Sequence, residues 1–187
     1  MDDTWNSADK FNREAAQRDE KPQLSAVALC VAKAIIAATN PKKNMQALEF
    51  GCGSGLVSMK IAPQLKTLSA IDTSKEMLAV LKEKIRFSGI TDMAGFQNQH
   101  SNLLSPGGSL ALTDLDVENG LFHDDPLEKV HHGFEREELA ALLNVAGLQV
   151  RSFETIFTCH KTNRADLNEA YPVFFVTSLK TPLTTPE

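Results

Sequence analysis

The feature that most constrains the fold of this chain is a glycine-rich loop between an apolar strand and a helix. Residues 45–50 predict a short strand that leads into the loop Glu49–Gly55, and residues 56–62 have a helical pattern. A second apolar segment, 68–71, predicts another strand that ends at Asp72 and precedes a further helix. Strands that alternate with helices are typical of an α/β fold with a parallel sheet.

The spacing of the loop indicates the kind of ligand. Gly51, Gly53 and Gly55 permit positive backbone torsions and the close approach of a ligand. Asp72, at the end of the next strand, is placed to accept hydrogen bonds from both hydroxyls of a ribose. Together these features predict a nucleoside cofactor, with a ligand-free tight turn as the alternative.

Two details distinguish this loop from a dinucleotide-binding loop. Its spacing is Gly-x-Gly-x-Gly, whereas the dinucleotide pattern is Gly-x-Gly-x-x-Gly. Glu49 lies two residues before the first glycine, where an anion is a poor neighbour for a pyrophosphate and a good one for a cationic amino-acid group. A cationic nucleoside cofactor is therefore predicted.

The loop and the acid resemble motifs of the class I S-adenosylmethionine-dependent methyltransferases. Ala47–Gly55 resembles motif I, and Ala70–Ser74 resembles the acidic motif that follows it. The turn Leu104–Leu110 and the segment Val130–Phe134 are similar to small bacterial and fungal enzymes that are loosely grouped with the ubiquinone and menaquinone C-methylating enzymes. The resemblance implies S-adenosylmethionine as cofactor and S-adenosylhomocysteine as product. It also implies a Rossmann-like fold, with a mostly parallel central sheet, helices on both faces and a C-terminal antiparallel strand pair.

The resemblance further implies roles for individual residues. Glu49 and the backbone of the first two glycines would hold the methionine portion, and Asp72 would bind the ribose. Thr73 and Met77 would flank the adenosine, with packing at helical spacing as the alternative for Met77. Cys52 has no neighbouring base in the sequence, so packing of a small residue is favoured over reactivity. The predicted cofactor-binding residues are Glu49, Gly51, Cys52, Gly53, Gly55, Asp72, Thr73 and Met77.

The sequence constrains the methyl acceptor less closely. Methyl transfer from a sulfonium is an in-line displacement, so the protein mainly positions the reactants, and a general base is optional. The candidates for such a base are Asp114 in a predicted strand, and His131 or His132 before a predicted helix, with a solvated turn and a helix entrance as alternatives. His123 is interpreted as a solvated loop residue, and no metal ligands are predicted. The net charge of −5 favours a small-molecule acceptor over nucleic acid.

Length and composition predict one domain over residues 1–187. Residues 1–22 form a candidate N-terminal lid, in which Trp5 and Phe11 either cover the cofactor or anchor a terminal helix. A polar, acidic N-terminus and three cysteines without metal-ligand spacing favour a reducing cytoplasm. The apolar run Ala26–Ala38 contains Lys33 and is too short to cross a bilayer, so no membrane contact is expected. The oligomeric state stays open.

The segment between Asp72 and Gly107 is shorter than the family pattern requires. After the helix that follows Asp72, residues 88–104 have room for at most one short strand and one short helix, so a strand unit is missing. Either the protein has a reduced sheet, or the sequence omits a segment that the protein contains. The second alternative is favoured, because removing a central strand would leave two unpaired edges. Asp92 is, by position, the candidate acid for the adenine.

Three other functions are compatible with parts of this sequence. A non-catalytic S-adenosylmethionine-binding protein is motivated by the shortened segment. A nicotinamide-dependent oxidoreductase is disfavoured by the glycine spacing and by Glu49, and a purely structural domain is disfavoured by the combination of motifs. The sequence therefore predicts transfer of a methyl group from S-adenosylmethionine to a small molecule.

Overall fold

The computed structural model describes residues 7–88, 104–124 and 131–181. They belong to two compact units, Met1–Gln99 and His100–Glu187, and each unit is described by itself. The first unit contains α1 (Ser7–Glu14), α2 (Pro22–Thr39), β1 (Gln46–Phe50), α3 (Ser58–Ile61), β2 (Thr67–Ile71) and α4 (Lys75–Ser88), with 3₁₀ helices at Ala15–Glu20 and Ala62–Gln64. The second contains β3 (Ser109–Leu115), α5 (Arg136–Val145), β4 (Leu148–Thr162) and β5 (Asn168–Lys180). The single domain over residues 1–187 stays a prediction.

The first unit has a parallel strand pair at its centre. Strands β1 and β2 pair in parallel from Gln46 with Thr67 to Phe50 with Ile71, so both strands end at the same edge. Leu68 of β2 is 1% exposed and packs in a cluster with Ala32 of α2 and with residues of the α3 region. The sequence prediction of a strand, a loop, a helix and a second strand is therefore confirmed.

Helix α4 begins one residue later than the sequence suggests. The sequence Thr73-Ser74-Lys75-Glu76 matches the pattern of a capping box, which predicts that Thr73 caps the helix and that Glu76 reaches back. Instead, the Ser74 hydroxyl accepts a hydrogen bond from the backbone N–H of Met77 at 3.1 Å, and Thr73 is exposed. The capping prediction was wrong by one position, because Asp72 accepts a hydrogen bond from the Ser74 N–H and so orients Ser74 as the cap.

Helix α2 is more extensive than the apolar run from which it was predicted. It covers 18 residues with a mean hydropathy of 1.5, and it is long and apolar enough to pass the usual length and composition test for a membrane span. The run Ala26–Ala38 is too short to cross a bilayer, whereas the whole helix is long enough. Its buried residues are Ala28, Val31 and Ala32, which make up 17% of the helix.

The second unit is built on a three-stranded antiparallel sheet with the order β3-β5-β4. Residues 148–158 and 171–179 are β-rich in sequence and predict the C-terminal antiparallel pair. Strands β4 and β5 confirm this pair and extend beyond those residues. The hairpin closes because the Asn163 side chain accepts hydrogen bonds from the backbone N–H groups of Ala165 and Leu167. Helix α5 covers one face of the sheet, where Leu139 and Leu143 pack against Phe174. The combination of a parallel sheet with an antiparallel C-terminal sheet confirms the predicted α/β class.

Residues 89–103 lie outside the described residues. They include the candidate acid Asp92 and most of the segment in which a strand unit is predicted to be missing. The strands on either side of this segment have different pairing. In the described residues, β1 and β2 pair in parallel and β3 pairs antiparallel with β5.

Truncating the core of the second unit should be costly. Phe174 is 0% exposed, so Phe174→Ala should lower the free energy of unfolding by about 3–5 kcal/mol through lost burial and a residual cavity. Phe87→Ala is the matched control, because Phe87 is 87% exposed and its truncation should change stability by less than about 0.5 kcal/mol. Urea denaturation measures both, and equal losses would contradict the assignment of Phe174 to the core.

Candidate cofactor site

A cavity opens in the first unit where β1 and β2 end. Its volume is about 320 Å³, which lies within the usual range for small-molecule sites. Because parallel strands bring their carboxyl ends to one edge, the loop after β1 and the acid after β2 meet there. The cavity is lined by Phe11, Arg18, Phe50, Gly51, Gly53, Ile71, Asp72, Thr73 and Met77.

The first two glycines of the loop leave room for a ligand beside the backbone. Gly51 and Gly53 have φ values of +67° and +53°, and a Cβ added to either would meet no heavy atom within 4 Å. Gly55 serves a different purpose, because a Cβ there would overlap the side chain of Leu81 on α4. The open side of the loop therefore lies at Gly51 and Gly53, and Gly55 allows the loop to pack against the helix.

The Asp72 carboxylate connects the loop to the start of α4. Its Oδ2 accepts a hydrogen bond from the backbone N–H of Gly53 at 2.7 Å, and its Oδ1 accepts one from the N–H of Ser74 at 2.8 Å. A carboxylate offers about four acceptor positions, so about two stay open on the cavity side. Asp72 thus both fixes the shape of the loop and retains the capacity to accept hydrogen bonds from a ligand.

Glu49 lies below the loop and does not line the cavity. Its Oε2 accepts a hydrogen bond from the hydroxyl of Ser58 at 2.6 Å. Burial raises the pKa of the Glu49 carboxyl above its ordinary value of 4.5, and the Ser58 hydrogen bond opposes this only in part. Burial therefore disfavours the ionised form of Glu49, and a cation placed nearby would stabilise that form.

Cys52 packs in the core of the loop. Its side chain is buried in a cluster with Ala70 and Leu81. Burial, followed by the negative charges of Glu49 and Asp72, raises the pKa of the Cys52 thiol to about 12. A thiol with so high a pKa is a poor nucleophile at neutral pH, which supports packing as the role of Cys52.

The N-terminal segment supplies part of the cavity wall. Phe11 of α1 and Arg18 of the following 3₁₀ helix both line the cavity, and the guanidinium of Arg18 lies 5.1 Å from the centre of the Phe11 ring. Phe11 was a predicted lid residue, whereas Arg18 was missed, because nothing in the sequence brings residue 18 close to residues 51–77. Trp5 lies outside the described residues.

Three side chains attach this segment to the loop and to α4. The Ser74 hydroxyl donates to the Asn12 side-chain oxygen at 2.6 Å, and the Ser54 hydroxyl donates to Asp19 at 2.5 Å. Lys84 forms an ion pair with Asp19 and also donates to the Ser54 carbonyl at 2.7 Å. The N-terminal segment is therefore joined to the same loop that forms the cavity.

The three candidates for a general base lie in the second unit. Asp114 is exposed on β3, and its Oδ1 accepts a hydrogen bond from the N–H of Leu115 at 2.7 Å. His131 is exposed and stacks on the Phe134 ring at 4.1 Å, and the exposed His132 ring lies next to Gly120. Their roles stay predictions.

The second unit also contains an acid that the sequence did not single out. The Oε2 of Glu118 accepts hydrogen bonds from the N–H groups of Leu121 and Phe122, and its Oε1 is buried without a hydrogen-bond partner. Only the tertiary structure could reveal this environment. The described part of the chain holds no cluster of three or more His, Cys, Asp or Glu residues that could bind a metal ion.

Replacing Glu49 should change how stability depends on pH. A carboxyl with a raised pKa binds more protons in the folded chain than in the unfolded one, so it lowers stability as the pH rises above about 4.5. The free energy of unfolding of the wild type minus that of Glu49→Gln should therefore fall as the pH rises from 4 upward and then level off. Urea denaturation of both ligand-free proteins across this range measures it, and a constant or rising difference would contradict the raised pKa.

The cysteines should differ in reactivity. At pH 8, iodoacetamide should modify Cys30, which is partly exposed, well before Cys52, whose thiol is buried and has a pKa of about 12. Peptide mass spectrometry of a time course measures the order, and faster modification of Cys52 would refute its packing role.

Known proteins that this chain resembles are described as methyltransferases. Residues 47–136 match the family model described as a methyltransferase domain. A curated relative from Schizosaccharomyces pombe, described as an uncharacterized methyltransferase, is 27% identical over 154 residues that cover 57% of this chain and 54% of the relative. The chain thus spans about half the length of this relative. The alignment has 154 positions, which is more than the 57% of the 187 residues that it covers in this chain. Some aligned positions are therefore gaps in this chain, where the relative has residues that this chain lacks.

Solved structures show the same fold. The DhpI–SAH complex matches with a TM-score of 0.65 and 14% identity, covering 94% of this chain and 95% of that one. An S-adenosylmethionine-dependent methyltransferase from Clostridium acetobutylicum matches with a TM-score of 0.64 and 14% identity, covering 92% and 99%. At such identities the likeness shows the fold alone. The chain thus has the Rossmann-like fold of S-adenosylmethionine-dependent methyltransferases, and over residues 47–136 it is similar to the methyltransferase-domain family.

Proposed function

We propose that this chain binds S-adenosylmethionine in the cavity of the first unit and transfers its methyl group to a small-molecule acceptor. The observation that carries the proposal is the cavity itself, which has open backbone at Gly51 and Gly53 and the Asp72 carboxylate beside them. A nucleoside with a flat base, a diol and a charged amino-acid tail has the shape and polarity that such a site can accommodate.

The charges near the cavity favour a cationic cofactor. S-adenosylmethionine carries an ammonium and a sulfonium and no phosphate. Burial disfavours the ionised form of Glu49 in the ligand-free chain, and a cation placed nearby would favour it. The ammonium of the methionine portion is the cation that we assign to this role. A pyrophosphate would meet the Asp72 carboxylate, which lines the cavity, and would be repelled by it.

The nucleoside portion would occupy the other end of the cavity. The remaining acceptor positions of Asp72 suit the two ribose hydroxyls, since a charged acceptor makes stronger hydrogen bonds than a neutral one. Thr73 and Met77 line the wall next to Asp72, and Met77 is 1% exposed. We propose that these two residues contact the adenosine and that Met77 also serves as packing for α4.

The chemical step asks little of the protein beyond position. In the in-line displacement, the acceptor lone pair forms the new bond to the methyl carbon, and the carbon–sulfur electron pair returns to sulfur, which leaves neutral S-adenosylhomocysteine. Asp114, His131 and His132 remain the candidates for accepting a proton from the acceptor. A small-molecule acceptor and a cytoplasmic location are the finer parts of this proposal. They rest on the net charge of −5 and on the absence of a disulfide among Cys30, Cys52 and Cys159.

Non-catalytic binding of S-adenosylmethionine is the second candidate. It is favoured by the residues that this chain lacks relative to the yeast protein. Incubation with S-adenosylmethionine labelled on its methyl group, together with a panel of phenols, quinols, amines and thiols, separates the two. Label transferred to an acceptor supports catalysis, whereas tight binding without transfer to any member of the panel supports the second candidate.

Removing the charge of Asp72 should weaken cofactor binding. Asp72→Asn keeps the size of the side chain and loses the charge-assisted hydrogen bonds, so the affinity for S-adenosylhomocysteine should fall by more than about tenfold. Isothermal titration calorimetry measures the affinity. Asp166→Asn is the matched control, because Asp166 is exposed in the β4–β5 turn with a φ of 58°, which asparagine tolerates. Unchanged affinity in Asp72→Asn would refute the role of Asp72.

A further inference from the structure

Charge is unevenly distributed along this chain. The whole chain has a net charge of −5, yet residues 22–71 contain five lysines and a single acid, Glu49. Glu49 lies below the glycine loop, where it accepts a hydrogen bond from Ser58. The surface that is built from this stretch is therefore basic, although the chain as a whole is acidic.

Three of these lysines lie together at the amino-terminal ends of β1 and β2. The N–H of Met45 donates to the carbonyl of Lys42 at 2.9 Å, and the N–H of Lys66 donates to the carbonyl of Met45 at 2.8 Å. Lys43 lies within the turn that the first of these bonds closes. Both bonds come immediately before the first paired residues of the two strands, so the backbone holds the three lysines close to one another.

An exposed stripe of α2 leads to the same end of the strand pair. Leu29, Lys33 and Ala37 follow one another at intervals of four residues, so they share one face of the helix, and all three are exposed. Helix α2 ends three residues before Lys42. Apolar side chains also reach the surface here, since Leu29 and Met45 are each 43% exposed. The lysine surface consists of Lys33, Lys42, Lys43 and Lys66 with Leu29 and Met45.

The lysines of this surface have no acidic partners. Within the described ranges, none of the four forms an ion pair, and Lys42 donates to the side-chain oxygen of Asn40 at 2.8 Å. By contrast, Lys21, Lys84 and Lys161 each pair with an acid. Exposed cations that are gathered on one surface without internal partners attract an anionic partner.

We propose that the lysine surface docks onto an anionic lipid bilayer. Lipid headgroups and nucleic-acid phosphates both attract lysines, and the exposed apolar side chains favour the lipid. Leu29 and Met45 would enter the boundary between headgroups and acyl chains, which stabilises a protein on a bilayer and has no counterpart along a phosphate backbone. Each lysine near an anionic bilayer strengthens binding by about fivefold.

Docking at this surface leaves the cofactor cavity open. The cavity lies at the carboxyl-terminal ends of β1 and β2, and the lysine surface lies at their amino-terminal ends. Five residues of strand separate the two by about 15 Å. The proposal therefore does not rest on the proposed function.

Contact with the bilayer surface differs from a membrane span. The expected absence of membrane contact followed from an apolar run that is too short to cross a bilayer. A surface contact has no such length requirement, because it needs only an exposed face with basic and apolar side chains. The structure provides such a face at the lysine surface.

The test measures binding of the ligand-free full chain to vesicles by sedimentation in about 0.1 M salt. Vesicles of phosphatidylcholine with about 30% phosphatidylserine should bind the protein at least about tenfold more tightly than vesicles of phosphatidylcholine alone. Lys42→Gln/Lys43→Gln should weaken binding to the anionic vesicles by at least about tenfold. Lys75→Gln/Lys82→Gln is the matched control, because these lysines are exposed on α4 outside the lysine surface, and its binding should stay within about twofold of wild type.

A second variant separates lipid from nucleic acid. Leu29→Gln keeps every charge and removes an apolar contact, so it should weaken binding to the anionic vesicles by about threefold or more. Fluorescence anisotropy with a labelled DNA duplex gives the comparison, at an equal concentration of phosphate groups. The affinity of Lys42→Gln/Lys43→Gln for S-adenosylhomocysteine should equal that of wild type, because the cavity lies at the other end of the strands.

Several results would overturn the proposal. Equal binding to both kinds of vesicle, no binding to either, or equal losses in the two double variants would each do so. Unchanged vesicle binding in Leu29→Gln would remove the argument for lipid. Tighter binding to DNA than to the anionic vesicles, abolished in Lys42→Gln/Lys43→Gln, would identify the lysine surface as a phosphate-backbone site instead.

Discussion

The hydrogen bonds of the Asp72 carboxylate are the interaction on which the rest of the site depends. One oxygen holds the N–H of Gly53, and the other holds the N–H of Ser74. The first bond sets the glycine loop after β1, and the second orients the residue that caps α4. A charged acceptor that satisfies two backbone donors is stronger than a neutral one, so a single side chain determines both the loop and the helix start beside the cavity.

The Glu49 carboxyl has a different electrostatic environment from the Asp72 carboxylate. Asp72 faces the cavity with hydrogen bonds from the backbone, whereas Glu49 is buried below the loop with one hydroxyl partner and a raised pKa. We propose that the two acids serve different ends of one ligand, the first by accepting hydrogen bonds and the second by compensating a cation. The N-terminal segment, joined to the loop through Asp19 and Ser54, adds the side chains of Phe11 and Arg18 to the cavity wall.

Much of the site could be predicted from local sequence. The alternation of strands and helices predicted the parallel strand pair, and the glycine spacing predicted the open loop. The acid at the end of the second strand was predicted to lie beside this loop. Each of these features depends on backbone geometry over a few residues. The errors have physical causes. Thr73 was expected to cap α4, but the Asp72 bond places Ser74 in that position. The apolar run Ala26–Ala38 is too short to cross a bilayer, but α2 continues beyond the run at both ends and extends from Pro22 to Thr39.

By itself, the sequence determined the α/β class, the kind of cofactor and the residues of the glycine loop, since torsional freedom and charge are properties of residue type and spacing. The tertiary structure decided which of those residues face the cavity. Gly51 and Gly53 have open space beside them, whereas Gly55 and Cys52 pack against Leu81. It also brought Phe11 and Arg18 to the cavity, because contacts between distant segments depend on packing and cannot be obtained from the periodicity of either segment.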